Sequence, residues 1–482
     1  MKTSSFRKMI FESNKLELKI LLMILVFSCS CKKFILVPPP TTQVVTTSVF
    51  ADASSATAAQ LGVYIKIRSS VANFNFVTGI SSDELFNYNR AVFYKDAYVN
   101  TLNVQDASSL STAYWNVYYN AIYQENAIIE NLEKSPVNLK IKQQLTGEAY
   151  FTRAYNYLML LNLYGGVPLV TSTDYTTNTN KARSTTADVY TQIVADLKIA
   201  HSLLNSNYVD ASDTVVTTDR VRPTTWAADA LLARVYLDTK DWKDAETQAS
   251  IVINNTEFNL PSDLTTVFKN TSREAILQFI PDNTKTYSYN GGVFVVSNGV
   301  PTSCTISNTL LGVFEPGDQR KVNWISTYTN PTTSVSYTYA SKYRRSPSST
   351  GNNDEYDMVL RLGEQYLIRS EARAQQNNIS GTNGALSDLN AIRHRAGLGD
   401  YSDAIDQTSV LAAIAHERQV ELFTEGQRWV DLKRTGMIDA VMGAPGNACA
   451  TKGGTWQSYQ QLYPISLPDI QKAPNLTQAP GY

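Results

Sequence analysis

The chain has 482 residues, about three average domains' worth or one large fold, and a hydrophobic fraction of 43 % excludes a disordered polymer. Its 42 Lys and Arg against 43 Asp and Glu leave a net charge of −1, so no basic field exists to gather nucleic acid. Three histidines (His201, His394, His416) and four cysteines argue against a His-based metal enzyme and a disulfide scaffold, while 28 Tyr supply rings with an apolar face and a polar tip.

The chain opens with Lys2, Arg7, Lys8, Lys15 and Lys19, followed by the apolar run from Ile20 to Phe27. Such a run spans about 12 Å as a helix, too short for a hydrocarbon core of about 30 Å. A basic start, a short apolar run and small residues form a secretory signal, residues 1–28. Ser28-Cys29-Ser30-Cys31 then resembles a lipobox, in which the new N-terminal cysteine is acylated. Cys29, with Val26 three residues before it and Ser28 directly before it, fits better than Cys31, which starts the run Cys-Lys-Lys-Phe. Residues 29–46 read as a tether, stiffened at Pro38-Pro39-Pro40 by polyproline II geometry. Nothing in the sequence brings Cys304 and Cys449 together.

Helical periodicity follows over Thr112–Leu132, Ile141–Tyr164, Val189–Leu204, Thr224–Asp238 and Trp242–Ile253. It returns over Leu360–Gln376, Gly384–Ala396, Ser409–Thr424 and Gln427–Thr435, with glycine stops at Gly165, Gly397, Gly426 and Gly436. Three stretches, beginning at Gly147, Ala228 and Gly363, share an acid five residues before an arginine: Glu148 and Arg153, Asp229 and Arg234, Glu364 and Arg369. After the second copy come a tight polar turn and a helix with spaced Ala245 and Ala249, the tetratricopeptide arrangement, here broken up by insertions. Pro261 to Asp354 is different in character, rich in Ser, Thr, Asn, Gly and Tyr with β-prone runs such as 292–296. Asn73 to Val104 reads as a similar loop-rich stretch.

At this point the chain resembles the SusD/RagB family of outer-membrane nutrient-binding lipoproteins over nearly its whole length. The resemblance rests on an ordered set: Cys-Lys-Lys-Phe with Val37-Pro38-Pro39-Pro40, Ser81-Ser82-Asp83-Glu84-Leu85, Gly147-Glu148-Ala149 with Arg153-Ala154, and Tyr164-Gly165-Gly166-Val167-Pro168-Leu169. Tyr366 to Ala372, Leu389 to Arg393, Glu417 to Leu422 and Glu425 to Arg434 continue it, and Leu462 to Ile465 and Asn475 to Tyr482 close it. The resemblance implies a mainly α fold, a superhelix of four tetratricopeptide-like helical pairs with a loop-rich second lobe carrying short strands. The expected divisions are 47–260 with helical pairs, 261–354 as the ligand and partner lobe, and 355–482 as the C-terminal part. It also implies no cofactor, no catalysis, an exterior-facing outer-membrane location, and a role as lid over a SusC-like TonB-dependent transporter, with a glycan or a peptide as ligand.

Within that frame the loop-rich stretches hold the candidate ligand-binding residues: Phe86, Tyr88, Tyr287, Tyr289 and Trp324, expected to share one depression. Flat rings stack on the C–H faces of sugars, and neighbouring Asn, Arg and Asp can bond hydroxyls. Glu417, Glu421 and Glu425 recur every four residues, which could suit acid–base work on glycans. Arg428, Asp431 and Arg434 beside them favour an ion-pair network instead. His416-Glu417 begins like a zinc-protease motif, but Val420 stands where the second His is required, so no metal site is expected. The competing readings are an exported glycan-active hydrolase on a helical scaffold and a peptide-binding receptor. A plain tetratricopeptide adaptor fits the repeat but not the export signal.

Overall fold

The computed structural model describes residues 46–482 apart from Asp106 and Pro445. The signal, Cys29, Cys31 and the tether up to residue 45 lie outside the described residues. Phe50–Tyr482 form one compact unit. No described helix is long and apolar enough to cross a membrane.

The body starts with α1 (Ala53–Ser81), capped by Asp52, whose carboxylate accepts from the Ser55 amide at 3.0 Å. This 29-residue helix includes Asn73–Ser81, which the sequence reading assigned to a loop-rich stretch. The reason is its surroundings: Ala56, Gln60, Val63, Ile67, Val71, Phe74 and Val77 are all buried, and its C-terminal half is enclosed on every side. An enclosed helix carries no single apolar stripe to read.

Seven further helices build the stack: α2 (Asn116–Lys134), α3 (Leu139–Tyr164), α4 (Thr186–Leu203), α5 (Thr225–Asp238), α6 (Trp242–Ile253), α7 (Leu362–Gln375) and α8 (Ala385–Arg395). Each packs on the next in chain order, giving the four pairs α1/α2, α3/α4, α5/α6 and α7/α8. Gly165, at φ 72°, ends α3 where an L side chain would be strained. In the third pair, buried Ala227, Ala230, Ala245 and Ala249 let the two helices approach closely.

The repeated arginines lie on the first helices of the last three pairs, all three buried and paired. Arg153 grips Asp196 of α4 through two bonds of 2.7 and 2.6 Å, and Arg369 grips Asp388 of α8 at 2.9 and 2.7 Å. Arg234 reaches instead to Glu364, the repeat acid of α7, at 2.6 Å twice. Two of the arginines therefore fasten a pair internally and one fastens consecutive pairs. Two-pronged guanidinium–carboxylate geometry suits all three.

Two more helices, α9 (Gln407–Leu422) and α10 (Gln427–Arg434), close the C-terminal part. Six short strands follow in chain order: β1 (Leu85–Asn87), β2 (Ala275–Phe279), β3 (Cys304–Ile306), β4 (Ile325–Thr329), β5 (Ser336–Ala340) and β6 (Asp357–Arg361). They pair antiparallel as β1 with β3, β2 with β6 and β4 with β5. The run at 292–296, expected as strand, begins instead in a helix, Tyr289–Phe294. Asp357 fixes it by accepting from the Tyr289 and Asn290 amides at 2.9 and 2.8 Å, while Ser288 caps Gly291 at 3.0 Å. Three of the orphan amides at this helix start are thus met, two by Asp357 from across the fold and one by the Ser288 cap, which outweighs local β propensity.

Candidate ligand-binding face

β1 alternates as a strand should: Leu85 points into the core and Phe86 outward, 46 % exposed. Past its end, the Tyr88 and Asn89 amides both donate to the Ser303 carbonyl, at 2.8 and 3.1 Å, which keeps the chain beside β3. β5 packs against β3 and brings in Tyr337, and the helix Val92–Tyr98 folds back to supply Tyr98. Four rings result in one group: Phe86 lies 5.2 Å from Tyr88 and 5.5 Å from Tyr98, and Tyr88 meets Tyr337 edge-on at 5.8 Å.

The group is propped from behind. The Lys452 ammonium sits 4.9 Å from the Tyr98 ring and donates to the Ile80 and Ser82 carbonyls at the end of α1. Burial lowers that lysine to about 7. Burial likewise raises the Tyr88 phenol and pushes that of Tyr98 up to about 12. Both hydroxyls therefore stay protonated at neutral pH and can donate as well as accept. Arg90 stands exposed at the adjoining turn.

Tyr287 and Tyr289 form a second group. The Lys285 ammonium lies 5.1 Å from the first ring and 5.7 Å from the second, and the Arg68 guanidinium is 6.0 Å from Tyr289. Gly292 makes room for it, since a Cβ there would come within 2.8 Å of the Tyr287 ring. Among the described residues, no ring of this group stacks on a ring of the first.

Trp324 belongs to neither group. It is 1 % exposed, its indole N–H donates to the Leu264 carbonyl at 2.9 Å, and it packs on Phe268 and Phe423 at 5.6 and 6.4 Å. A ring with both faces covered has none left for a sugar, so its expected place in a shared depression is corrected to a place in the core. Sequence reasoning missed Tyr98 and Tyr337. The alternation of Ser336-Tyr337-Thr338-Tyr339 was the available signal for the second.

The carboxylates on and beyond α9 are engaged. Arg361 donates to Glu274, Glu421 and Glu425, at 2.8, 2.6 and 2.7 Å, and Arg395 donates to Glu274 and Glu421. Arg320 joins Asp318, Glu417 and Glu421. The surrounding arginines hold the Glu421 carboxyl well below its ordinary range despite burial. Arg428 and Arg434, expected in one ion-pair network with these glutamates, pair elsewhere: Arg428 with Asp83, and Arg434 with Glu371 and with Asp431, which also holds Arg418. Cys304 and Cys449 are buried free thiols. Among the described residues, no cluster of His, Cys, Asp or Glu could hold a metal ion.

The body is thus a stack of helical pairs with a group of half-exposed rings beside its short strands. Residues 170–482 match the SusD family and residues 46–237 match the family described as starch-binding, associating with the outer membrane. The chain belongs to the SusD/RagB family. It is 28 % identical to the SusD-like protein P2 of Formosa agariphila over 434 residues, 80 % of this chain and 83 % of that one. A SusD superfamily protein from Parabacteroides distasonis superposes with a TM-score of 0.75 at 20 % identity, covering 91 % of this chain and 100 % of the other. A laminarin-binding SusD-like protein superposes with a TM-score of 0.71 at 21 % identity, covering 89 % and 99 %.

Proposed function

We propose that this protein captures a nutrient at the outer membrane without transforming it. The face of Phe86, Tyr88, Tyr98 and Tyr337 receives the ligand, and Tyr287 and Tyr289 give a second contact region. The observation that carries this reading is the exposed Phe86 ring within a supported tyrosine group, since apolar rings left in water on a braced platform suit stacking partners. A glycan is the first ligand to test, because the matching family is described as starch-binding and one structural relative as laminarin-binding. The engaged state of the α9 carboxylates weighs against hydrolysis, which needs one carboxyl free to give a proton.

Acylation at Cys29 or Cys31 holds the body at the membrane, and there it acts as lid of a SusC-like TonB-dependent transporter. Tethering raises the effective concentration of lid and barrel for each other, so a modest contact suffices. In electrophoresis through gels holding a panel of polysaccharides, the protein is expected to be retarded by at least one of them. Incubation should yield no shorter products. Release of oligosaccharides would overturn the non-catalytic reading.

A further inference from the structure

The rings of the two aromatic groups sit on three segments whose charge is one-sided. Residues 283–314, which carry Tyr287 and Tyr289, hold a single charged residue, Lys285, and residues 325–340, which carry Tyr337, hold none. Residues 85–98, which carry Phe86, Tyr88 and Tyr98, hold Arg90, Lys95 and Asp96, and Asp96 is engaged within the chain. A protein of net charge −1 thus gathers three cations against one acid on the segments that bear its half-exposed rings.

Lys285 is built into the second group. It is half-buried beside the rings of Tyr287 and Tyr289, 5.1 and 5.7 Å from their centres, and its ammonium donates to the Tyr287 hydroxyl at 3.3 Å. Among the described residues no carboxylate forms an ion pair with it. The acids of the neighbourhood are spent. Asp282 pairs with Arg68 at 2.7 Å and accepts from the Thr284 amide and hydroxyl at 3.0 and 2.7 Å. Asp357 is buried beneath the helix start, its oxygens taken by the amides of Tyr289 and Asn290 and by the Asn290 side chain. An ammonium has three hydrogens, so Lys285 keeps two for a ligand. Partial burial thins the water that would otherwise screen its charge.

Arg90 and Lys95 repeat the pattern at the first group. Lys95 stands three residues before Tyr98 in the helix Val92–Tyr98, hence on the same face, and Arg90 follows Tyr88 at the turn. Both are exposed, and neither pairs with a carboxylate among the described residues. A flat ring beside an unpaired cation suits a ligand that offers an apolar C–H face and an acidic substituent together. Three cations are too few to follow a nucleic-acid backbone, which bears a charge at every nucleotide.

We propose that the ligand of these rings is an anionic glycan, one bearing carboxylate or sulfate groups, and that Lys285 binds an acidic group while Tyr287 stacks on the sugar that carries it. This inference rests on the nutrient-capture reading given above and names the class of glycan. Arg90 and Lys95 meet further acidic groups of the same polymer at the first group of rings.

The test titrates the full chain, in mild detergent, with matched polymers: polygalacturonate against its methyl ester, sulfated galactan against the same galactan desulfated, and uncharged laminarin and starch. At least one charged polymer should bind about tenfold more tightly than its neutral counterpart, and the gap should narrow as salt rises. Lys285→Gln is expected to weaken that polymer about threefold to tenfold, while Lys285→Arg, and Lys198→Gln on the exposed side of α4, bind it as the parent does. Denaturant curves check that each variant folds. Preference for the uronate alone makes the acidic group a carboxylate, and preference for the sulfated galactan alone a sulfate ester; either supports the proposal. Equal binding of charged and neutral polymers, or an equal loss in Lys285→Gln and Lys198→Gln, overturns it and leaves the glycan reading standing. Binding of none of the polymers overturns both. Binding of poly-glutamate but of no glycan would make the ligand an acidic peptide and reject the proposal.

Discussion

The interior of the helical stack and the aromatic face use opposite chemistry. Inside, charge is buried and matched: Arg361, Arg395 and Arg320 converge on Glu421, and Arg153, Arg234 and Arg369 fasten helices. On the face, Phe86, Tyr88, Tyr98 and Tyr337 keep apolar area in water, with few charges near. On the reading proposed above, the acids hold the architecture and the half-exposed rings receive the ligand. Reading the Glu417–Glu421–Glu425 series as a reacting centre would reverse the two roles.

The largest effect that bears on this contrast is expected from Glu421→Ala. Three arginines lose a shared partner in a buried site, and breaking such a network costs about 3–5 kcal/mol. Denaturant unfolding measures it, and a change below about 1 kcal/mol would mean that the network is not a fastening. Trp324→Ala comes next. Removing a large buried ring should cost about 3–5 kcal/mol of stability. Ligand binding by the fraction that folds should be unchanged, which separates a core ring from a binding ring.

A smaller effect is expected from Glu125 on α2, completely buried, with one oxygen accepting from Asn156 at 2.9 Å and the other unpartnered. Burial pushes its carboxyl up to about 8. Folded protein therefore holds this proton where the unfolded chain has released it, between the ordinary carboxyl range and pH 8. The stability linked to it is complete below pH 4.5 and is lost as pH rises through about 8. Glu125→Gln should flatten that decline, so that unfolding curves at pH 4 coincide with the parent's and those at pH 8 show a gain on the order of 1–3 kcal/mol. The smallest single effects belong to the face: each of Phe86→Ala, Tyr98→Ala and Tyr337→Ala should weaken ligand binding by about 0.5–1.5 kcal/mol beyond lost area and leave the core intact.

The same contrast explains what could be read from sequence. The helix expected over Ile141–Tyr164 is found at Leu139–Tyr164, and Trp242–Ile253 is found as expected, because polar turns, caps and a glycine stop act locally. The arginine repeat was visible because each copy puts a two-pronged guanidinium–carboxylate bond at the same helical position, within a pair at Arg153 and Arg369 and between pairs at Arg234. α1 escaped because enclosure erases periodicity. Of the face, Phe86 and Tyr88 were legible from their place in a loop-rich stretch. Tyr98 lies in the same stretch but at the end of a short helix not expected there, and Tyr337 joins only through the tertiary packing of β5 on β3. Trp324 misled for a related reason: a region without periodicity gives no sign of which rings fold inward.

On the proposed reading the half-exposed, tyrosine-rich face binds the ligand and the buried carboxylates do not. The most direct measurement is isothermal titration of a glycan that retards the parent in gels, with the chain starting after Cys31, against the parent and the Phe86→Ala/Tyr88→Ala/Tyr98→Ala/Tyr337→Ala variant. The account predicts saturable heat and intact glycan for the parent, and loss of binding in a variant that unfolds as the parent does. Undiminished binding by that variant, or shortened glycan after titration of the parent, would contradict it.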